Sequence, residues 1–217
     1  GVFQAALADF DGAAALLEQG RIVGWLQGRA ELGPRALGNR SLLADPRSPD
    51  MAKRLNAVVK YRESYRPFAP SILHEHGPDW FENYQESPNM ERTLKFRAEV
   101  RGRVPAVAHV DGTGRLQTVK QEWNVLFHEL LCEFYGLTGV PLLLNTSYNV
   151  MGKPMAHSVE DAVAVFLTAG VDALALDIQD VVVGKDVLAR IEIHLFDLRL
   201  RPLKRLRDHR IIDRLVF

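Results

Sequence analysis

The run Pro141-Leu142-Leu143-Leu144 is apolar at every position, and its shortness makes it a buried strand rather than a helix. Helical periodicity lies on both sides of it, over 121–135 and over 158–169. The chain repeats this succession. Apolar positions at helical spacing over 5–19 lead through Gly20 to a short strand over 21–26. A helical stretch over 49–59, with Ser48 or Asp50 near its cap, precedes a strand at 71–73. Further strands are expected at 94–100, 106–110, 173–176 and 181–183. Helices interleaved with strands predict an α/β fold. Between the elements, residues 28–47 are too rich in glycine, proline and arginine for an uninterrupted helix and read as a structured loop. Residues 77–92 are polar without period, and Asp111-Gly112-Thr113-Gly114 reads as a turn.

A chain of 217 residues, 47% hydrophobic and 25% charged, has enough apolar content for one substantial core. Twenty-seven basic residues balance 27 acidic ones, so there is no overall pull toward nucleic acid or a membrane surface, and any anion site is local. The single cysteine, Cys132, excludes a disulfide framework and a Cys-rich zinc site, and it fits a reducing cytoplasm. No apolar stretch approaches the roughly 20 residues of a membrane span. A start at Gly1 without methionine suggests a fragment or a processed chain. Residues 188–217 change character: RLRPLKRLRDHR sets six basic side chains against Asp208 alone. They are expected to form a basic amphipathic tail that docks on a partner or on another copy.

Eight arginines fall between Arg21 and Arg66, several beside glycine or proline. The planar guanidinium matches phosphate and carboxylate oxygens in pairs, so these loops point to phosphate; pairing with Glu31, Asp45 and Glu63 is the alternative. Lys60-Tyr61-Arg62 would aim two cations at one face of an extended segment, with Arg66 beyond. Asn145-Thr146-Ser147-Tyr148-Asn149 follows the apolar strand, and ligands of open α/β sheets sit at such carboxyl ends. Arg115 and Gln117 follow the glycine turn in the same manner. His74, His76, His109, His128 and His157 show no ligand spacing backed by carboxylates or cysteines, so no metal site is expected. Neither GxxxxGK[ST] nor GxGxxG occurs.

Taken in order, GRAELGPRALGNRSLLADPR, LNAVVKYRESYRPFAPSIL, HVDGTGRLQTV and LLLNTSYNVMGKPM closely resemble the C-terminal, YrdC-like domain of NodU/TobZ/CmcH-type carbamoyltransferases. The resemblance spans about residues 13–185. It implies an α/β, YrdC-like twisted mixed sheet with flanking helices over 1–187, followed by the tail. It also implies activation of carbamoyl phosphate by ATP, with Mg2+ accompanying the nucleotide, to give carbamoyl-AMP and pyrophosphate. Transfer to an acceptor would need the family's N-terminal actin-like ATPase-fold domain. Carried onto this sequence, the core site is Arg35, Lys60, Arg66, Arg115 and Ser147. Arg62, Asn145 and Asn149 lie beside them, with Arg29 and Arg40 as loop-building or phosphate-positioning groups, and Gly33 and Pro34 would shape the loop that aims Arg35. The competing expectation is a YrdC-like nucleotide- or RNA-binding module without catalysis, which the neutral charge disfavours for extended nucleic-acid contact.

Overall fold

The computed structural model describes residues 10–176. The strand expected at 181–183, the tail, and the start of the first expected helix lie outside these residues. Seven strands form one sheet among the described residues: β1 Val23–Leu26, β2 Arg40–Ala44, β3 Ala69–Leu73, β4 Arg92–Lys95, β5 Thr113–Val119, β6 Leu142–Ser147 and β7 Ala173–Leu176. Their order is β4-β5-β3-β6-β2-β1-β7. The sheet is mixed: β3 runs parallel to β5 and β1 to β7, and the other pairings are antiparallel.

Helices α1 Phe10–Glu18 and α5 Val125–Thr138 pack on each other. Helix α1 turns Ala13, Ala14 and Leu17 inward, at one helical spacing. Helix α5 starts where the Asn124 side chain accepts from Phe127 N at 3.1 Å, and it buries Phe127, Leu130, Leu131 and Phe134. It stops at Gly139, which takes the left-handed conformation with φ 66°. On the β1–β7 side, α6 Val159–Thr168 begins with a capping box in which Ser158 and Asp161 satisfy each other's backbone amides.

Several expectations give way to longer-range pairing. The expected loop over 28–47 contains β2, a fully buried strand between β1 and β6; its Arg40-Ser41 start masks it in a polarity reading. Strand β6 carries on through Asn145, Thr146 and Ser147, which pair with Leu43, Leu42 and Ser41, so these residues are strand and not loop. Residues 106–110 form turns instead of a strand: Val107 and Ala108 amides both bond Val104 O, and the Ala106 amide bonds Pro46 O. Apolar character there reports burial, not a ladder. The ladder strand is β5, which begins inside the expected glycine turn. The strand expected over 94–100 divides into β4 and the short helix α4 Ala98–Arg101. The helix expected over 49–59 divides likewise, into α2 Met51–Leu55 and a π turn, Asn56–Lys60. Asp50 caps α2 without a side-chain bond.

Antiparallel pairing of β3 with β6 sets Ala69 opposite Asn145, and parallel pairing sets Ser71 opposite Gln117. The start of β3, the end of β6 and the early part of β5 therefore meet at one end of the sheet, under the loops that carry the arginines.

Candidate anion-binding site

A cleft of about 290 Å³ opens at this end of the sheet. Arg35, Lys60, Arg62, Arg66 and Arg115 line it together with Asn145, Ser147 and Asn149. Eight of the ten residues singled out in the sequence thus share one cavity. Arg29 and Arg40 are not among its lining residues.

Lys60 ends the π turn, and the next residue, Tyr61, is left-handed with φ 45°. Lys60 and Arg62 are therefore not on one face of an extended segment; the reversal at Tyr61 sends them to different partners. Lys60 is almost fully buried. Its ammonium donates to Ser147 O, to Asn149 O at 3.0 Å and to Asn149 Oδ1 at 2.8 Å, with Ser147 Oγ at 3.3 Å. One cation so gathers the end of β6 and the turn after it. Tyr148, between these partners, is wholly buried and donates to Ala162 O at 2.9 Å, which fixes the turn against α6. Arg62 instead donates from Nε to Asn56 Oδ1 at 2.6 Å and lies over the Phe68 ring at 4.7 Å.

Beneath the cleft is a buried polar row. Asn145 Nδ2 donates to Ser71 Oγ at 2.9 Å, to Gln117 Oε1 at 3.0 Å and to Ala36 O at 3.2 Å. Gln117 Nε2 donates to Leu37 O at 2.8 Å. Three strands are locked to the arginine loop through these bonds, and Arg35 stands next to Ala36 at the cleft rim. The same loop closes on Glu31, whose Oε1 accepts from the amides of Leu37, Asn39 and Arg40 at 2.7–3.2 Å. Gly33 and Gly38, with φ 108° and 107°, supply its reversals. Arg40 is caged below it, donating to the carbonyls of Gln27, Gly28, Asn39 and His157. Its work is to hold backbone, and Arg29 contributes a carbonyl that accepts from Asn39 Nδ2 at 2.9 Å. Glu31 entered the sequence reading only as a pairing partner for arginine, whereas its carboxylate holds loop amides, and Asn56 escaped that reading. Asn56 is fully buried and also donates to Arg66 O at 3.1 Å, a role that only the folded loop reveals.

Positive charge in the cleft is not compensated from within. Among the described residues, no Asp or Glu lines it. Burial and then the Arg62 charge pull the Lys60 ammonium down to about 7. Arg62 is lowered by burial and by Arg66, partly offset by Glu63, and Arg115 by burial and by Arg35. Among the described residues, two buried polar atoms on lining residues, the donor Arg115 Nε and the acceptor Asn145 Oδ1, have no partner. Cations that destabilise one another and a guanidinium donor left unmatched suit a multiply charged anion.

Comparison with known proteins shows the family. The family model described as Carbamoyltransferase C-terminus matches residues 14–185. Nodulation protein NolNO of Sinorhizobium fredii is 50% identical over 167 residues, covering 76% of this chain and 25% of that protein. Nodulation protein NolO of Bradyrhizobium diazoefficiens is 48% identical over 168 residues, covering 76% of this chain and 30% of that protein. Nodulation protein U of Rhizobium tropici is 46% identical over 140 residues, covering 64% and 24%. The chain spans between 24% and 30% of the length of these curated relatives. Among solved structures, HypF of T. kodakarensis superposes with a TM-score of 0.50 at 16% identity, covering 77% of this chain and 22% of that one. E. coli YciO superposes with a TM-score of 0.53 at 14% identity, covering 76% of each chain. These two likenesses establish the fold as a YrdC-like mixed α/β sheet.

Proposed function

The chain belongs to the carbamoyltransferase C-terminus family, and we propose that it activates carbamoyl phosphate with ATP to form carbamoyl-AMP. The observation that carries the proposal is the convergence of Arg35, Lys60, Arg62, Arg66 and Arg115 on one cleft without a lining carboxylate. In the proposed sequence, the P–O bond of carbamoyl phosphate is broken by water, giving phosphate and carbamate. A carbamate oxygen then attacks the α-phosphorus of ATP, and pyrophosphate leaves with the electron pair of the broken P–O bond. Both steps crowd negative oxygens together and demand little covalent chemistry from the protein. Guanidinium forks fixed on a rigid loop align and neutralise those oxygens. In this proposal Ser147 Oγ, held at 2.8 Å from Asn149 Oδ1, turns its hydrogen to a phosphate or carbamoyl oxygen by rotation about its Cβ–Oγ bond.

Mg2+ would come with the nucleotide. The lining residues supply no carboxylate for an ion of their own, so the residues present do not make a Mg2+ site, and no step is assigned to one. Passage of the carbamoyl group to a hydroxyl acceptor belongs, in this proposal, to the N-terminal actin-like domain that the resemblance implies. Cytoplasmic location is part of the same proposal. Among the described residues, no helix is long and apolar enough to cross a membrane.

Calorimetric titration with carbamoyl phosphate and with ATP tests the site. Both should bind, and Arg66→Ala and Arg115→Ala should each weaken binding. Failure of carbamoyl phosphate to bind would overturn the proposal, and ATP binding without it, or RNA affinity that collapses with rising salt, would favour the non-catalytic module instead.

A further inference from the structure

Strand β3 starts at the cleft, where Phe68 and Ala69 line it, and ends at Leu73, from which the chain enters a 3-10 turn, His74–His76. That turn touches α5 at the end of β3 remote from the cleft. Glu75 Oε1 lies 3.0 Å from His128 Nε2. The other ring nitrogen, Nδ1, lies 3.6 Å from the sulfur of Cys132, one helical turn along the same face. A carboxylate oxygen, an imidazole nitrogen and a thiol sulfur here all fall within 4.8 Å of one another. The histidine side chain is 12% exposed and Glu75 49% exposed, so the group is anchored on the helix and open to solvent on the Glu75 side.

We propose that His128 Nδ1 and Cys132 Sγ bind a zinc-class divalent cation, with Glu75, which accepts from His128 Nε2, as the outer partner that fixes the ring and the remaining positions left to water. The donor set is the first reason. One sulfur and one imidazole nitrogen suit a borderline ion such as zinc rather than Mg2+ or Ca2+, which take oxygen ligands. Spacing is the second: tetrahedral bonds of about 2.3 Å to sulfur and 2.0 Å to nitrogen set those two ligands roughly 3.6 Å apart, the separation found between Cys132 Sγ and His128 Nδ1. His128 and Cys132 stand four residues apart on α5, a spacing the sequence carries, whereas Glu75 is 53 residues from His128 and joins them only in the fold. A bound ion would fix the imidazole, and with it the Glu75 contact that joins the exit of β3 to α5.

The test uses the full chain, stripped with chelator, without nucleotide, and titrated with Zn2+ and with Co2+. Expected are equimolar uptake, a thiolate-to-cobalt charge-transfer band and a rise in melting temperature. Cys132→Ser should remove the band and the uptake. Glu75→Gln, a change at an exposed side chain, should weaken affinity roughly tenfold or more and keeps the test decisive if the cysteine variant fails to fold. Absence of uptake by the folded chain, or uptake undiminished in both variants, would overturn the site.

Discussion

Lys60 reaches Asn149 with two bonds from one ammonium, 2.8 Å to Oδ1 and 3.0 Å to the backbone oxygen. A buried cation therefore holds the turn that follows β6, and the protonation of that cation becomes a control on the site. Burial and Arg62 hold it at about 7 against an ordinary 10.5. Below pH 7 the group is charged both folded and unfolded. Between 7 and 10.5 the unfolded chain retains a proton that the folded chain has released, so this group makes stability rise with pH across that window. An anionic ligand favours the charged form, so affinity for carbamoyl phosphate should fall as pH rises past 7, with proton uptake on binding. Titration in two buffers of different ionisation enthalpy measures that uptake. Lys60→Met should abolish it, and an unchanged uptake in that variant would remove Lys60 from the account.

Arg35 is exposed on a loop fixed from beneath by Glu31 and Gln117. Replacing it by alanine should leave the melting temperature near that of the parent. Pyrophosphate release should fall roughly a hundredfold or more, as for loss of one preorganised charge donor. A variant with parental turnover would separate the cleft from the chemistry.

Ser147→Ala removes the hydroxyl that donates to Asn149 Oδ1. Lys60 still satisfies that acceptor, so stability should change by about 1 kcal/mol or less. Turnover should drop well before stability does. A large loss of melting temperature at normal turnover would make the hydroxyl a structural group alone.

Gly38 pairs a φ of 107° with a close approach to the Phe127 ring, into which an added Cβ would be driven. Gly38→Ala should therefore cost about 1–3 kcal/mol from overpacking, with backbone strain in addition. Gly33 has a similar φ of 108° but open space around it, and its alanine variant should lose less. Denaturant melts of the two variants compare them directly, and equal losses would mean that the Phe127 contact is unimportant.

Much of the site was legible because its charged residues stand in aperiodic, glycine- and proline-marked segments, although Arg40 and Arg47 in the same stretch hold backbone and carboxylates instead. Local pattern could also find α5 and α6, whose caps at Asn124 and Ser158 are written in side chains one turn away. Strand β2 was not legible. Arg40 begins it as a buried cation matched by backbone carbonyls of Asn39 beside it and of Gln27, Gly28 and His157 from distant turns, and no local window contains the distant partners. The turns over 106–110 show the converse, since burying Val104, Ala106 and Val107 requires no ladder. The meeting of Lys60 with Ser147 spans 87 residues, and the left-handed Tyr61 that directs it has no signature in residue type.

The most direct measurement of the central claim is product analysis of the purified chain incubated with ATP, carbamoyl phosphate and Mg2+. The account predicts pyrophosphate release that requires both substrates, with carbamoyl-AMP or its breakdown products in equal amount. It further predicts no carbamoylation of a hydroxyl acceptor, in keeping with a chain that covers 25% of the length of its NolNO relative. Pyrophosphate release independent of carbamoyl phosphate, or none at all from a folded chain that binds both ligands, would contradict the account.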